Sequence, residues 1–404
     1  MRVLLSTIGS RGDVQPLVAL ASAITALGHD VRLCVPPDFQ TWIAGLGFAV
    51  TPIGPELRSF TRAAAPAVPP SAEQRRQLAE ATVAAQFTTV AAAAETCDAI
   101  VAATALQIAA RSVAETRRIP YFFTAYCPIV LPSAHHAPPP LPPIPGEPPV
   151  SGGHAERWAR DAERFTMLFG PALNAHRATL GLPAVSDVRA HVFGDTPWLA
   201  ADPTLAPWTD PSVEVFQPGA WLVRDDRPLP RGVDAFLDAG DPPIYFGFGS
   251  MRAPQDLGRV MLDAARAVGR RAIVSRGWAD LAATDGDDCL TIDEVNQQAL
   301  FRRVAVVVHH GGAGTTTTAA LAGAPQVVVP QMYDQHYWAR RVAELGVGVA
   351  HAPALPTVES LRAAIEEARR PPVAAQAQTL AAAVHCDGAR AAAERVLRAS
   401  SSPQ

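Results

Sequence analysis

Residues 306–325, VVVHHGGAGTTTTAALAGAP, carry an apolar strand through two histidines and three glycines straight into a threonine-rich helix. A buried strand that becomes a helix over a nearly bare backbone belongs to a doubly wound parallel sheet. In such sheets ligands bind in the crevice outside the carboxyl ends of the strands, where this loop lies. The geometry is that of an anion site. Free N–H groups and aligned peptide dipoles at a helix start favour negative charge by about 0.3–1 kcal/mol when exposed and up to ~2 kcal/mol when partly buried. The glycines Gly312 and Gly314 let phosphate oxygens reach the backbone, and His310 is the natural partner for one of them. Its neighbour His309 points to the other face of the strand, so the two are a poor metal pair and only one meets the ligand. The stretch lacks the lysine of a P-loop and the spacing of a dinucleotide fingerprint, which excludes both.

The same alternation occurs twice along the chain. RVLLST, a helix over Gln15–Leu27, VRLCVP, a helix over Phe39–Leu46, an Ala-rich helix from Ala72 to Ala94, DAIVAA and PYFFTAY describe one parallel sheet. PPIYFGFGS, a helix over Gln255–Val268, RAIVSRGW, CLTIDEV and VAVVVHH describe a second. LLSTIGSRGD and IYFGFGSMRA rhyme, each running strand, Gly, Ser and then a basic residue, as two similar facing sheets require. With 404 residues, two domains of roughly 200 residues each are expected. Proline keeps 135–153 out of regular structure and marks it as a long loop. The Pro-, Asp- and Trp-containing stretch 207–232 reads as an interdomain crossing. The expected organisation is an N-terminal domain over 1–206, a linker over 207–232, a C-terminal domain over 233–386, and a helix and tail over 387–404 that cross back.

Composition removes several classes. A formal charge of -4, from 34 basic and 38 acidic residues, offers no footprint for a nucleic acid. Five cysteines without a C-x-x-C pair argue against a disulfide framework or zinc site and fit a reducing cytoplasm. No stretch reaches the ~18–20 uninterrupted apolar residues of a membrane span, and the N-terminal apolar run is too short for a signal peptide, so stable membrane insertion is not expected. DGDD at 285–288 contains an Asp-x-Asp pattern, but it precedes its strand and reads as a solvated turn.

HHGGAGTTTTAALAGAPQVVVPQMYDQHYWARRVAELGVG (309–348), GSRGDVQPLVAL (9–20), SRGWADL (275–281) and LPSAHHAPPPLPP (131–143) resemble the GT-B glycosyltransferases of antibiotic biosynthesis, above all the glycopeptide (vancomycin-type) enzymes. The resemblance implies two facing Rossmann-like domains, an α/β GT-B fold with an interdomain cleft. A dTDP- or UDP-sugar would lie on the C-terminal domain, and a hydrophobic or aromatic acceptor on the N-terminal one. Hexose or deoxyhexose transfer would invert the anomeric carbon, without metal or other cofactor. By position, His310, Gly312, Gly314 and Thr315 match the diphosphate loop; Ser10 and Ser250, each in the loop after its sheet's first strand, are candidates for hydrogen bonds to the phosphates or sugar across the cleft, as an alternative to a structural role in their turns. Asp334 and Gln335 match the family's sugar-binding Asp-Gln pair, and a carboxylate beside an amide does satisfy polyol donors and acceptors.

Asp13, three residues before Pro16, matches the general base, a role worth roughly 10²–10⁴-fold. It equally reads as a cap on the following helix, and both roles are compatible. Plant relatives stack the nucleobase on a tryptophan where this chain has Glu294, so Trp278 and Val295 are the candidates for that contact. Tyr126 and Phe123 are candidates for lining the acceptor cleft, as an alternative to lying in a buried strand. Two rival readings are sterol or lipid glucosylation and a catalytically silent partner of another transferase.

Overall fold

In the computed structural model the described residues are 1–62, 70–140, 152–254, 256–281, 286–352 and 355–401. The first half contains β1 (Arg2–Thr7), α1 (Arg11–Ala26), β2 (Asp30–Val35), α2 (Gln40–Gly45), β3 (Ala49–Pro52), α3 (Leu57–Arg62), α4 (Ala72–Ala93) and β4 (Ala99–Ala103). It continues with α5 (Ala110–Arg117), β5 (Tyr121–Ala125), α6 (His154–Thr179), α7 (Val188–Phe193) and β6 (Trp198–Leu199). The second half opens with α8 (Arg231–Asp238), β7 (Ile244–Gly247), α9 (Leu257–Ala267), β8 (Ala272–Ser275), β9 (Cys289–Ile292), α10 (Gln297–Leu300) and β10 (Val306–His309). It closes with α11 (Ala313–Leu321), β11 (Gln326–Val328), α12 (Gln335–Glu344), β12 (Gly348–Ala350), α13 (Val358–Ala368), α14 (Pro371–Ala381) and α15 (Gly388–Ser401).

Two six-stranded sheets result, ordered β3-β2-β1-β4-β5-β6 and β12-β11-β10-β7-β8-β9. Every ladder is parallel, with Leu5 opposite Leu33 and Val101 in the first and Val308 opposite Phe246 and Val327 in the second. Parallel strands buried on both faces need continuous apolar runs, which is why VLL, IVA, IVS and VVV form their centres. Each order reverses once, between β1 and β4 and between β7 and β10. The loops after β1, β7 and β10 therefore open at the two topological switch points, where crevices form.

The two halves share apolar packing. One core cluster joins Ala125, Cys127, Leu205 and Ala206 of the first half to Trp338, Val342, Leu380 and Val384 of the second. Arg341 fastens this side, its Nε donating to the Leu205 carbonyl at 2.9 Å, and Asp202 accepts the His385 N–H at 2.9 Å. α15 returns to the first half, where Ala389, Ala392, Ala393 and Val396 pack in the cluster that holds Val14, Leu17 and Val18 of α1. Its start sits tightly on the linker: a Cβ at Gly388 would collide with the Gly219 carbonyl.

Candidate active site

Asp13 is positioned by the first turn of α1. The Ser10 N–H donates to Asp13 Oδ2 at 2.6 Å and the Ser10 hydroxyl to the same oxygen at 3.2 Å. This capping arrangement draws GSRGD into the helix, so α1 begins at Arg11, four residues ahead of the expected Gln15. Asp13 therefore caps from inside the helix, as its third residue. The Ser10 hydroxyl, expected at the phosphates, is engaged with Asp13 here. Gly9 leaves room for the carboxylate, which a Cβ there would strike. Burial pushes the Asp13 carboxyl up to about 6 against the downward pull of Ser10. That suits a base working near neutrality.

The facing wall is built from β10 and α11. His309 is fully buried; it accepts the Gly311 N–H on Nδ1 at 3.1 Å, so Nε2 carries the proton and donates to Gln326 Oε1 at 2.9 Å. Burial depresses it to about 3, and it is a neutral structural brace. His310 turns the other way. Its Nδ1 is buried without a well-aligned hydrogen bond, and burial depresses the ring to about 4 against the upward pull of the Gly247 main chain. The imidazole lies against the turn so closely that a Cβ at Gly312 would come within 2.7 Å of Nε2.

Gly312 caps α11, and the Thr316, Thr317 and Thr318 hydroxyls donate back to the Gly312, Ala313 and Gly314 carbonyls at 2.9, 2.8 and 2.8 Å. The Thr315 hydroxyl makes no such bond and, with the exposed Gly314, stays available at the helix start. Ser250 lies in the turn after β7, following Gly249 at φ +55°. A Cβ on Gly249 would come within 3.1 Å of His310 Cε1, so that turn and the imidazole form one surface.

Asp334 stands at the N-cap of α12 and accepts the Trp338 indole N–H on Oδ2 at 3.2 Å. Burial, with the negative charge of Asp13 adding to it, pushes Asp334 up to about 7. The Asp13 carboxylate of the other half thus acts on Asp334. Gln335 is buried and turned inward: Oε1 accepts the Gln331 and Met332 N–H groups at 2.8 and 3.2 Å, and Nε2 donates to Met251 Sδ at 3.2 Å. Tyr333 just before the pair has φ +54°, a strained conformation for a bulky residue of the kind that collects at functional sites.

The acceptor and base candidates fare differently. Phe123 is 1% exposed and packs on Phe193 with ring centroids 4.8 Å apart. It is a core residue and not a cleft wall, because its side of β5 faces the α4–α7 layer. Tyr126 does reach the crevice, but its hydroxyl donates to the Asp13 main-chain carbonyl at 3.0 Å, behind the carboxylate. Trp278 stacks on Phe39 of the other half, centroids 6.0 Å apart and 26° between planes, while Val295 packs partly buried near Leu300. Glu294 pairs with Arg11 at 3.1 Å, and the Arg11 guanidinium lies 3.8 Å from the Trp42 ring centre. Arg11 and Trp338 were not singled out from the sequence. The rhyme of Gly, Ser and a basic residue after each first strand was the available signal for Arg11, and the i,i+4 spacing from Asp334 was that for Trp338.

Among the described residues no three His, Cys, Asp or Glu side chains are grouped to hold a metal ion, and no helix is long and apolar enough to cross a membrane. Residue 285 of the Asp-x-Asp pattern, and 141–151 of the proline-rich stretch, lie outside the described residues. Asp288, which follows that pattern, sits in a turn and binds Arg266 at 2.6 Å.

Residues 3–135 match the glycosyltransferase family 28 N-terminal domain, and residues 260–393 match the C-terminal domain of the erythromycin biosynthesis protein CIII-like family. With two doubly wound parallel sheets, these matches define the chain as a glycosyltransferase. Glycosyltransferase GtfE of Amycolatopsis orientalis is 50% identical, over 99% of this chain and 98% of its own. The vancomycin aglycone glucosyltransferase of the same organism is 49% identical with the same coverage. The chain belongs to this family of vancomycin-type glycosyltransferases. Sterol 3-beta-glucosyltransferase of Cryptococcus neoformans is 26% identical over 86% of the chain and 24% of its own length. Among solved structures, the glycosyltransferase of kitacinnamycin superposes with a TM-score of 0.73 at 20% identity over 98% of both chains. VinC in complex with dTDP does so with 0.70 at 20% identity over 99% of both.

Proposed function

We propose that this glycosyltransferase moves a hexose or deoxyhexose from a dTDP- or UDP-sugar to a hydroxyl of a glycopeptide-like or other aromatic natural-product scaffold, with inversion and without metal, in the cytoplasm. One observation carries the reading. The first turn of α1, which carries Asp13, lines through Gly12 and Pro16 the same crevice as Ala313, Gly314 and Thr317 of α11, the helix that follows His310 on the C-terminal domain. The acceptor hydroxyl gives its proton to Asp13 while its oxygen bonds to the anomeric carbon. The bond from that carbon to the diphosphate oxygen breaks on the opposite face, and the nucleoside diphosphate leaves with the electron pair. The α11 N–H groups, the Thr315 and Ser250 hydroxyls and His310 receive the growing negative charge, the electrostatic part of the catalysis. Asp334 accepts from sugar hydroxyls, and the Gln335 amide joins it once its loop contacts exchange for the sugar.

The relative named vancomycin aglycone glucosyltransferase is 49% identical over nearly its full length, whereas the sterol enzyme stands at 26%, and this supports the antibiotic scaffold over the sterol. A donor-by-acceptor screen read by mass shift tests the proposal, since the added mass reports the sugar. Transfer to an aromatic aglycone is expected. Transfer to sterols alone, or no sugar-nucleotide binding at all, contradicts it.

A further inference from the structure

Pro16 lies in the sixth position of α1. An α-helix holds the carbonyl of residue i with the N–H of residue i+4, so Pro16 removes the donor that belongs to Gly12, and its ring crowds that carbonyl. The turn that carries Asp13 is therefore the least secured part of α1. It is also the part whose geometry matters most, because a misplacement of about 1 Å at a reacting group costs on the order of 10²-fold in rate.

Tyr126 meets this weakness from outside the helix. It follows β5, packs against the cluster that contains Val14, Leu17 and Val18, and donates its hydroxyl to the Asp13 carbonyl at 3.0 Å. Gly12, Pro16 and Tyr126 line one crevice, with Gly314, Thr317 and Trp338 on its far side. We propose that Tyr126 is a positioning residue: its hydroxyl clamps the first turn of α1 one carbonyl beyond the bond that Pro16 removes, and so fixes the Asp13 carboxylate against the donor cradle. Burial and the nearby Asp13 charge push the phenol well above its ordinary range, so it remains a hydrogen-bond donor wherever the enzyme works. The inference rests on Asp13 acting as the general base. It replaces the role of Tyr126 as an acceptor contact with one exerted through the main chain.

The test uses the full chain, with Tyr126→Phe, Pro16→Ala and the double variant, each assayed for kcat, acceptor KM, donor affinity by calorimetry and the pH profile of kcat. Tyr126→Phe is expected to lower kcat about tenfold, the effect of one lost hydrogen bond, and to displace the acidic limb, while acceptor KM and donor affinity hold. Pro16→Ala restores an N–H to Gly12 and is expected to recover part of that loss in the double variant. A raised acceptor KM at unchanged kcat overturns the proposal in favour of a direct acceptor contact. A lower melting temperature with full kcat overturns it in favour of a merely structural role. A double variant no better than Tyr126→Phe overturns the helix-turn account. Failure of the underlying base assignment shows separately, as undiminished turnover in Asp13→Asn.

Discussion

Asp13 on the N-terminal domain adds its charge to the burial of Asp334 on the C-terminal one, and each carboxyl is lifted towards neutrality, to about 6 and about 7, chiefly by burial. Two like charges in one desolvated region are tolerated best when one of them is protonated or hydrogen-bonded.

This pair fixes a pH dependence of stability. Both folded-state values lie above the ~3.9 of an unfolded aspartate, so between about pH 4 and 7 the folded chain holds protons that the unfolded chain has released. The carboxyl contribution therefore falls as pH rises through that window. His309 and His310, depressed to about 3 and about 4, act in the opposite sense, losing stability as pH falls below ~6.5. Urea titrations across this range should show a flatter decline on the alkaline side for Asp13→Asn/Asp334→Asn than for the wild type. An unchanged slope would mean that neither carboxyl is perturbed.

Donor binding should take up a proton. Burial holds the His310 ring neutral, and a diphosphate brought against the imidazole favours the imidazolium. Calorimetry near pH 6 in buffers of different ionisation enthalpy should report uptake for the wild type and none for His310→Ala. The same variant should bind the nucleoside diphosphate about 10–100-fold more weakly, the range of one hydrogen bond to a charged group.

Gly311 tests the turn itself. It sits at φ +93°, and a Cβ there would lie 2.7 Å from Val328 Cγ1 and 3.1 Å from the Gln335 carbonyl. Gly311→Ala should cost more than about 1 kcal/mol of stability, through strain and collision together. Thermal melts should show this as a drop of a few degrees, and an unshifted melt would refute the packing described.

Much of this site was legible because it is local. The glycine loop after VVV, the two switch-point serines and the DQ pair are each written in a few consecutive residues, and strand, turn and helix start follow from their chemistry. What hid was relational. GSRGD looks like loop until Asp13 is seen to accept the Ser10 N–H, which moves the start of α1 back to Arg11. Alternation along PYFFTAY shows that neighbours face opposite ways without saying which face is core, and Phe123 fell inside. The pairing of Arg11 with Glu294 and the stacking of Phe39 on Trp278 join residues more than 200 positions apart, in separate halves of the chain. No periodicity encodes such contacts.

The central claim is that Asp13 removes the acceptor proton while the α11 cradle holds the donor. Single-turnover sugar transfer by Asp13→Asn, with donor occupancy checked by calorimetry, tests it most directly. The account predicts unchanged donor binding with transfer slowed about 10²–10⁴-fold. Transfer at the wild-type rate by a fully loaded variant contradicts it.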